Sequence, residues 1–410
     1  MCIWGWHTLR IVIFSIFCPR AVFGINIYGR LFIDHVYVLQ PIRISLLLKN
    51  GNKNKNIKGD AVDTNRRDVL KLSATAAMGG MFISSAIAAP DGQPPIVVEP
   101  LTGKAGFRIA NYLPKMGATS RLGLVTNDGM VIDIPAEAAR QKVQLSFDPT
   151  SMISLAGSSN KGLAELATLF KGRGNNLLNV NQVVLLSPIP KPQGNIYCVG
   201  WNYLDHFEEG LKHRADTAVK EYPKVPVLFT KGTQTMNGPF DSIPYDAGIS
   251  TMIDWEAELA VVIGKKGKNI SEENAMDYVF GYSAYNDTTA RDIQQKRQSG
   301  QWFKGKSLDG HGPMGPWVVT AGGVNLEDTR IICRVNGVEK QNASYKQMYF
   351  KIPAIIAELS RGLTLLPGDI IATGTPSGVG AGRTPQEFMK PGDVMETNIT
   401  GIGIIRNKIA

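Results

Sequence analysis

Residues 254–264 read Asp254-Trp-Glu256-Ala-Glu258-Leu-Ala-Val-Val-Ile-Gly264, a run whose apolar and β-branched content marks a strand. Two glutamates open it, and a strand sends residues i and i+2 out of the same face. Both carboxylates therefore point one way, at the start of a segment otherwise suited to burial. Paired like charges need a counter-charge, and a divalent cation is the usual one. A third carboxylate, Asp287, follows the apolar stretch 278–285. Three hard oxygen ligands suit Mg2+, Mn2+ or Ca2+, whereas zinc favours His and Cys. Spacing alone leaves an alternative open, a Glu-x-Glu pair on an edge strand facing water.

The surroundings constrain the fold further. Strands are expected near 196–200, 226–230, 255–263, 316–320, 330–335, 369–373 and 393–399, separated by Gly and Pro turns. One helix is expected at 352–361, where Ile352, Ile355, Ile356 and Leu359 share a face. Few long helices alternate with these strands, which disfavours a doubly wound sheet. The expected class is α+β, mostly β: a mixed β-roll or sandwich with peripheral helices over 191–410. Pro188-Ile-Pro190-Lys-Pro192 marks a boundary. Before it, 105–190 reads as a small β-rich N-terminal domain. There Asn127-Asp-Gly129 supplies hairpin chemistry between two strands, and 163–170 has helical spacing.

The formal charge of +9 is unevenly placed. Residues 1–88 hold eleven Lys and Arg against four Asp and Glu, so the remainder is near neutral. Beyond residue 90 no basic stripe is interleaved with aromatics, and nucleic-acid binding is not expected. Residues 61–88 read as a twin-arginine export signal: Arg66-Arg67, the small apolar stretch 73–89, then Ala86-Ile-Ala88 as a cleavage pattern. Residues 1–60 do not fit such a signal and read as translation from too early a start codon. An apolar stretch at 11–17 is too short to span a bilayer. Residues 89–104, with Pro94-Pro95, read as a linker. The mature chain is thus expected in the periplasm or outside a bacterial cell, with no membrane partner. Cys198 and Cys333 lie in strand-like runs and read as buried free thiols, not a disulfide framework.

Other residues carry weaker signals. His206 and Glu209 are three apart and would be neighbours on a helix; a carboxylate beside an imidazole raises its basicity, as a general base requires. A solvated surface pair is the alternative. Lys306 could stabilise an oxyanion near a metal site, with Lys304 as competitor and a surface lysine as alternative. Gly374-Thr375-Pro-Ser-Gly378-Val-Gly380 could offer backbone N–H groups and a hydroxyl to an anionic substrate group. No Lys-Ser/Thr pair follows it, so it is not a P-loop. The alternative is a tight Gly-rich turn.

Taken in order, these motifs resemble the fumarylacetoacetate hydrolase family. The series runs Asn202-Tyr203-x-Asp205-His206-x-x-Glu209, the 254–264 run, Gly281-Tyr-x-x-Tyr-Asn-Asp287-Thr-Thr-Ala-Arg291-Asp292, and Gly305-Lys306-Ser307-x-Asp309. It ends with Thr373-Gly-Thr375-Pro-Ser-Gly378 and Pro391-Gly-Asp393-Val. Trp201, Leu308 and Gly310-His311-Gly312 depart from the family pattern. The resemblance implies a mixed β-roll catalytic domain, a homodimer, and a divalent metal, usually Mg2+, held by Glu256, Glu258 and Asp287. It gives His206 the role of water-activating base, oriented by Glu209, and Lys306 that of stabilising developing negative charge. Tyr203, Arg291, Gln301, Trp302 and Thr375 are placed around the substrate.

The activity implied is metal-dependent C–C bond hydrolysis of an acylpyruvate-type diketo acid. A 2-oxo acid decarboxylase, hydratase or isomerase on the same scaffold is the enzyme alternative. A non-catalytic periplasmic protein that binds oxo acids is the alternative from another class.

Overall fold

The computed structural model describes residues 24–25, 31–32, 95–211 and 221–410. The chain divides into two compact units, Met1–Met81 and Phe82–Ala410. Of the first, only the antiparallel pair Gly24–Ile25 and Leu31–Phe32 is described. The export signal expected at 61–88 lies outside the described residues, as does most of the leader expected at 1–60.

The second unit opens with three antiparallel strands, β1 (Arg108–Leu113), β2 (Arg121–Val125) and β3 (Met130–Asp133). Gly129, at φ 77°, supplies the left-handed residue of the β2–β3 turn. Asp133 caps helix α1 (Ile134–Gln141) by accepting from the Ala136 N–H, with proline in the first turn. Helices α2 (Met152–Gly157) and α3 (Ser159–Lys171) follow, then β4 (Val184–Leu186). The remainder comprises β5 (Ile196–Gly200), α4 (Leu204–Leu211), β6 (Val227–Lys231), β7 (Ala257–Ile263), β8 (Val279–Asn286) and the single turn α5 (Phe303–Lys306). It closes with β9 (Gly312–Thr320), β10 (Arg330–Val335), β11 (Val338–Ser344), α6 (Ile352–Ser360), β12 (Ile370–Ala372), β13 (Val394–Ile399) and β14 (Gly403–Lys408).

A twelve-stranded sheet runs Leu178–Asn179, β3, β2, β1, β9, β8, β7, β12, β5, β6, with Met236–Asn237 beside β9 and β4 beside β1. The N-terminal strands join it through Ile109 opposite Val318. The boundary expected near 190 thus falls within one continuous sheet. A second sheet, β11-β10-β13-β14, is antiparallel throughout. Strand periodicity divides the core between the layers. Leu259, Val261 and Ile263 pack with Ile331, Cys333, Met395 and Ile405 of the second sheet. Ala260 and Val262 face the other way, into the core shared with Ala138, Leu155, Leu166 and Leu169 of the helices. All seven residues of β7 are buried. Burying each aliphatic side chain contributes about 1.5–3 kcal/mol, which makes Glu258 the anomaly of its strand.

Candidate metal centre and active-site cavity

Register brings the three carboxylates together. Ala257 lies opposite Asn286 and Glu258 opposite Tyr285. One step beyond, the Asp287 N–H donates to the Glu256 carbonyl at 2.9 Å. Cross-strand partners share a face, so Glu256, Glu258 and Asp287 emerge together from the ends of β7 and β8. All three are buried, with oxygens within 4.8 Å of one another.

Cations surround them unequally. Lys306 Nζ donates to Glu256 Oε2 at 2.5 Å and to Asp287 Oδ2 at 2.7 Å. Arg291 donates through Nη2 to Glu256 Oε1 at 2.6 Å and through Nε to Asp254 Oδ2 at 2.7 Å. Lys231, fully buried, stands 2.7 Å from Asp287 Oδ1. Glu258 has no ion pair among the described residues and accepts only the Gly374 N–H, at 2.8 Å. Burial alone pushes Glu256 up, yet Lys306 and Arg291 together pull it down to about 2. Burial, reinforced by Asp287 and Glu256, holds Glu258 well above the usual carboxylate range. Counted as ionised, Asp254, Glu256, Glu258 and Asp287 outnumber the three cations by one, and Glu258, the one raised by burial and its acidic neighbours, is the carboxyl left without a cation. An oxygen-only donor set with one unpaired buried carboxylate fits a divalent cation.

The base candidate lies beside this cluster. Helix α4 makes His206 and Glu209 neighbours, and His206 Nδ1 meets Glu209 Oε1 at 2.8 Å. A carboxylate only accepts, so Nδ1 carries the proton there and Nε2 is the basic nitrogen. Glu209 Oε2 in turn accepts the Gly378 N–H at 2.9 Å. His206, Glu209, Glu256, Glu258, Arg291, Trp302, Lys306 and Thr375 all border one cavity of about 670 Å³.

The glycine loop corrects one expectation. Its N–H groups serve the protein's own carboxylates: Gly374 donates to Glu258, Gly378 to Glu209, and Gly380 and Ala381 to Asp254. Buried carboxylates such as Glu258 and Asp254 must be satisfied, and these amides do so. The Thr375 hydroxyl donates to the Ala257 carbonyl at 2.9 Å and accepts from Gln341 at 2.7 Å.

Two other residues fall outside the cavity wall. Gln301 is exposed. Trp302 and Lys306 share the inner face of the α5 turn, four residues apart, and Lys304 is exposed while Lys306 is buried. Tyr203 is buried at 2 % exposure, its hydroxyl without a hydrogen-bond partner among the described residues. His311 is buried and tied to the Pro244 carbonyl at 2.9 Å. Cys198 and Cys333 are free and buried. Sequence reasoning missed Lys231, Asp254 and Gln294. Neither Lys231 nor Gln294, whose Oε1 accepts from Arg291 at 3.0 Å, left a local signal.

This frame and carboxylate cluster define an enzyme class that known proteins share. Residues 195–410 match the family model described as fumarylacetoacetate (FAA) hydrolase C-terminal. Oxaloacetate tautomerase YisK of Bacillus subtilis (strain 168) is 40 % identical over 296 residues, covering 70 % of this chain and 95 % of that protein. The solved fumarylacetoacetate hydrolase (EaFAH) from psychrophilic Exiguobacterium antarcticum is 34 % identical with a TM-score of 0.59, covering 75 % of this chain and 99 % of its own. Maleylpyruvate hydrolase from Sphingobium sp. SYK-6, solved with manganese(II) and pyruvate, is 27 % identical with a TM-score of 0.57, covering 74 % and 98 %. The chain belongs to the fumarylacetoacetate hydrolase family.

Proposed function

We propose that this enzyme moves a proton on the carbon next to the carbonyl of a chelating 2-oxo acid. The favoured reaction is keto–enol tautomerisation of an oxaloacetate-type diacid. The observation that carries it is the His206–Glu209 dyad bordering the same cavity as the carboxylate triad and the buried Lys306. One base and one cation at a chelating site suffice to take a proton from carbon and return one to oxygen. Glu256, Glu258 and Asp287 would hold Mg2+ or Mn2+. Such an ion supplies Lewis acidity to the oxygens of a 2-oxo acid. His206 Nε2 takes the carbon-bound proton, and Glu209 holds the ring so that Nε2 stays free. Lys306 Nζ faces the negative charge that develops on the carbonyl oxygen. Arg291 fixes Glu256, while Trp302 and Phe229, ring centroids 5.1 Å apart, form an apolar part of the cavity wall. The tautomerase similarity, which spans nearly the whole of that relative, supports the same reading.

The test is decay of the enol of oxaloacetate, followed by ultraviolet absorbance, with metal-stripped and Mg2+- or Mn2+-loaded protein. Metal-dependent acceleration is expected; the uncatalysed rate with metal bound would reject the reading. Hydrolytic C–C cleavage is the second reading. The cavity volume, ample for a longer acylpyruvate, and the likeness to maleylpyruvate hydrolase favour it. Release of pyruvate plus a carboxylic acid, identified by mass, would establish it. Twin-arginine export and a homodimer complete the proposal, checked by cell fractionation and by light scattering of the purified protein.

A further inference from the structure

The metal cluster balances one substrate carboxylate and no more. With all four carboxylates ionised, as metal binding requires, they exceed its three cations by one charge. A divalent ion turns that deficit into a single positive charge, which the carboxylate of a chelating 2-oxo acid neutralises. A second carboxylate on the same substrate finds Arg291 and Lys306 already paired with buried carboxylates, and an uncompensated charge there is costly. The aromatic wall of Trp201, Trp302 and Phe229, with centroids 5.0 and 5.1 Å apart, offers no counter-charge.

One further cation borders the cavity. Lys296 lines it and is exposed, and among the described residues it forms no ion pair. The backbone that carries it is unusual. Ile293–Arg297 is a π-helical turn, a geometry that recurs at functional sites. Ile293 is anchored in the core, and Gln294 is held by Arg291. Gln294, Gln295 and Lys296 all border the cavity. Ser299 and Gly300, both left-handed at φ 51° and 82°, reverse the chain towards Trp302 and also line the wall. A lysine standing in water, on a turn anchored at Ile293 and Gln294, suits a carboxylate that stays at the mouth, since neither group must be fully desolvated to pair.

We infer that Lys296 selects dicarboxylic over monocarboxylic 2-oxo acids by pairing with the carboxylate distal to the chelating head. This rests on the tautomerase reading for its choice of substrate, and deepens it by naming the residue that reads the second acid group.

The test compares wild type, K296M and K296R, all metal-loaded. In kinetics on the enols of oxaloacetate and of phenylpyruvate, K296M should lower the diacid-to-monoacid ratio of kcat/KM about fivefold, the upper end for an exposed ion pair. The change should lie in the diacid KM, and K296R should restore the ratio. In thermal shift, wild type should be stabilised more by malate than by lactate, two non-reacting acids that differ in the distal carboxylate, and K296M should lose that preference. Turnover with an unchanged ratio in K296M, or wild type indifferent to malate over lactate, overturns the role of Lys296. Failure of wild type to convert either enol, with a malate preference that vanishes in K296M, overturns the tautomerase reading and leaves Lys296 as the diacid selector.

Discussion

Replacing Lys306 with methionine should weaken the metal-free protein and tighten its hold on a divalent ion. The ammonium is buried, at 2.5 Å from Glu256 Oε2 and 2.7 Å from Asp287 Oδ2, and 5.2 Å from the Phe229 ring centroid. Methionine fills similar space with an adaptable chain, so the loss is chiefly charge. Removing one partner of a buried pair costs about 3–5 kcal/mol, because the remaining charges are stranded. At about 2 °C per kcal/mol for a domain of this size, the fall in Tm in EDTA should be about 6–10 °C. Divalent metal should reverse much of it. In wild type an ion at a hundredfold its Kd adds about 2.7 kcal/mol, but it must share two ligand carboxylates with Lys306. In the variant those oxygens are released and the site gains a negative charge, so the metal-induced rise in Tm should be larger and the Kd lower. Turnover should fall by about 10²–10³, as when a group facing developing oxyanion charge is removed. Thermal shift and calorimetric titration with Mg2+ and Mn2+ read the stability and the affinity, and the enol-decay assay reads the turnover. A variant as stable as wild type in EDTA, or one that binds metal more weakly, would refute the view that Lys306 occupies the ligand oxygens.

Three further outcomes follow from the same geometry. Glu258→Gln keeps an acceptor for the Gly374 N–H but removes the carboxyl that has no cation beside it; it should be at least as stable as wild type in EDTA and lose stabilisation by Mg2+, both read by thermal shift. His206→Ala should retain that metal-induced shift while turnover falls by about 10²–10⁴, the range for a general base; wild-type rates would remove His206 from the mechanism. His311 provides a pH signature, because burial pushes its imidazole down to about 4 from the ordinary 6.5. Its neutral form is the one the fold accepts, so its contribution is whole above about pH 6.5 and is lost as pH falls towards 4. At about 1.4 kcal/mol per unit this amounts to roughly 3 kcal/mol, and His311→Gln should flatten that part of a urea-denaturation profile.

The strands and the metal candidates were legible because both depend on local periodicity. The alternation of Glu256 and Glu258 with apolar neighbours placed them on one face before any tertiary contact was known. Asp287 was legible as the carboxylate after the next apolar stretch, and register made it the neighbour of Glu256. Helical spacing likewise paired His206 with Glu209. What escaped depends on contacts between distant segments. Lys231 meets Asp287 from a strand at the sheet's edge, and no local pattern distinguishes such a lysine from one in water. Gln301 was placed at the substrate beside Trp302, yet the turn that follows sends residues 302 and 306 inward and leaves 301 outside.

The glycine loop is the clearest case of chemistry hidden from the sequence. Read alone, it offers amides to an anion, and that much holds; the anions are carboxylates 116, 169 and 126 residues away along the chain. Its consequence reaches the whole site. Glu258 is a candidate metal ligand, Glu209 holds the candidate base His206, and Asp254 positions Glu256 through Arg291. A single backbone segment therefore fixes the carboxylate cluster and the His206–Glu209 dyad relative to each other. The packing leaves it little freedom: a Cβ on Gly382 would lie 2.7 Å from the Glu209 carboxylate, and Gly378 sits at φ 101° against the Lys340 carbonyl. A base on a helix and ligands on strands would otherwise be tied only through the core. Reactions that move a proton at a chelated acid need the two held at constant separation, since small misplacements of reacting groups cost rate steeply. The glycines are there because amides, unlike side chains, can reach three carboxylates without adding charge to a site whose balance is already set.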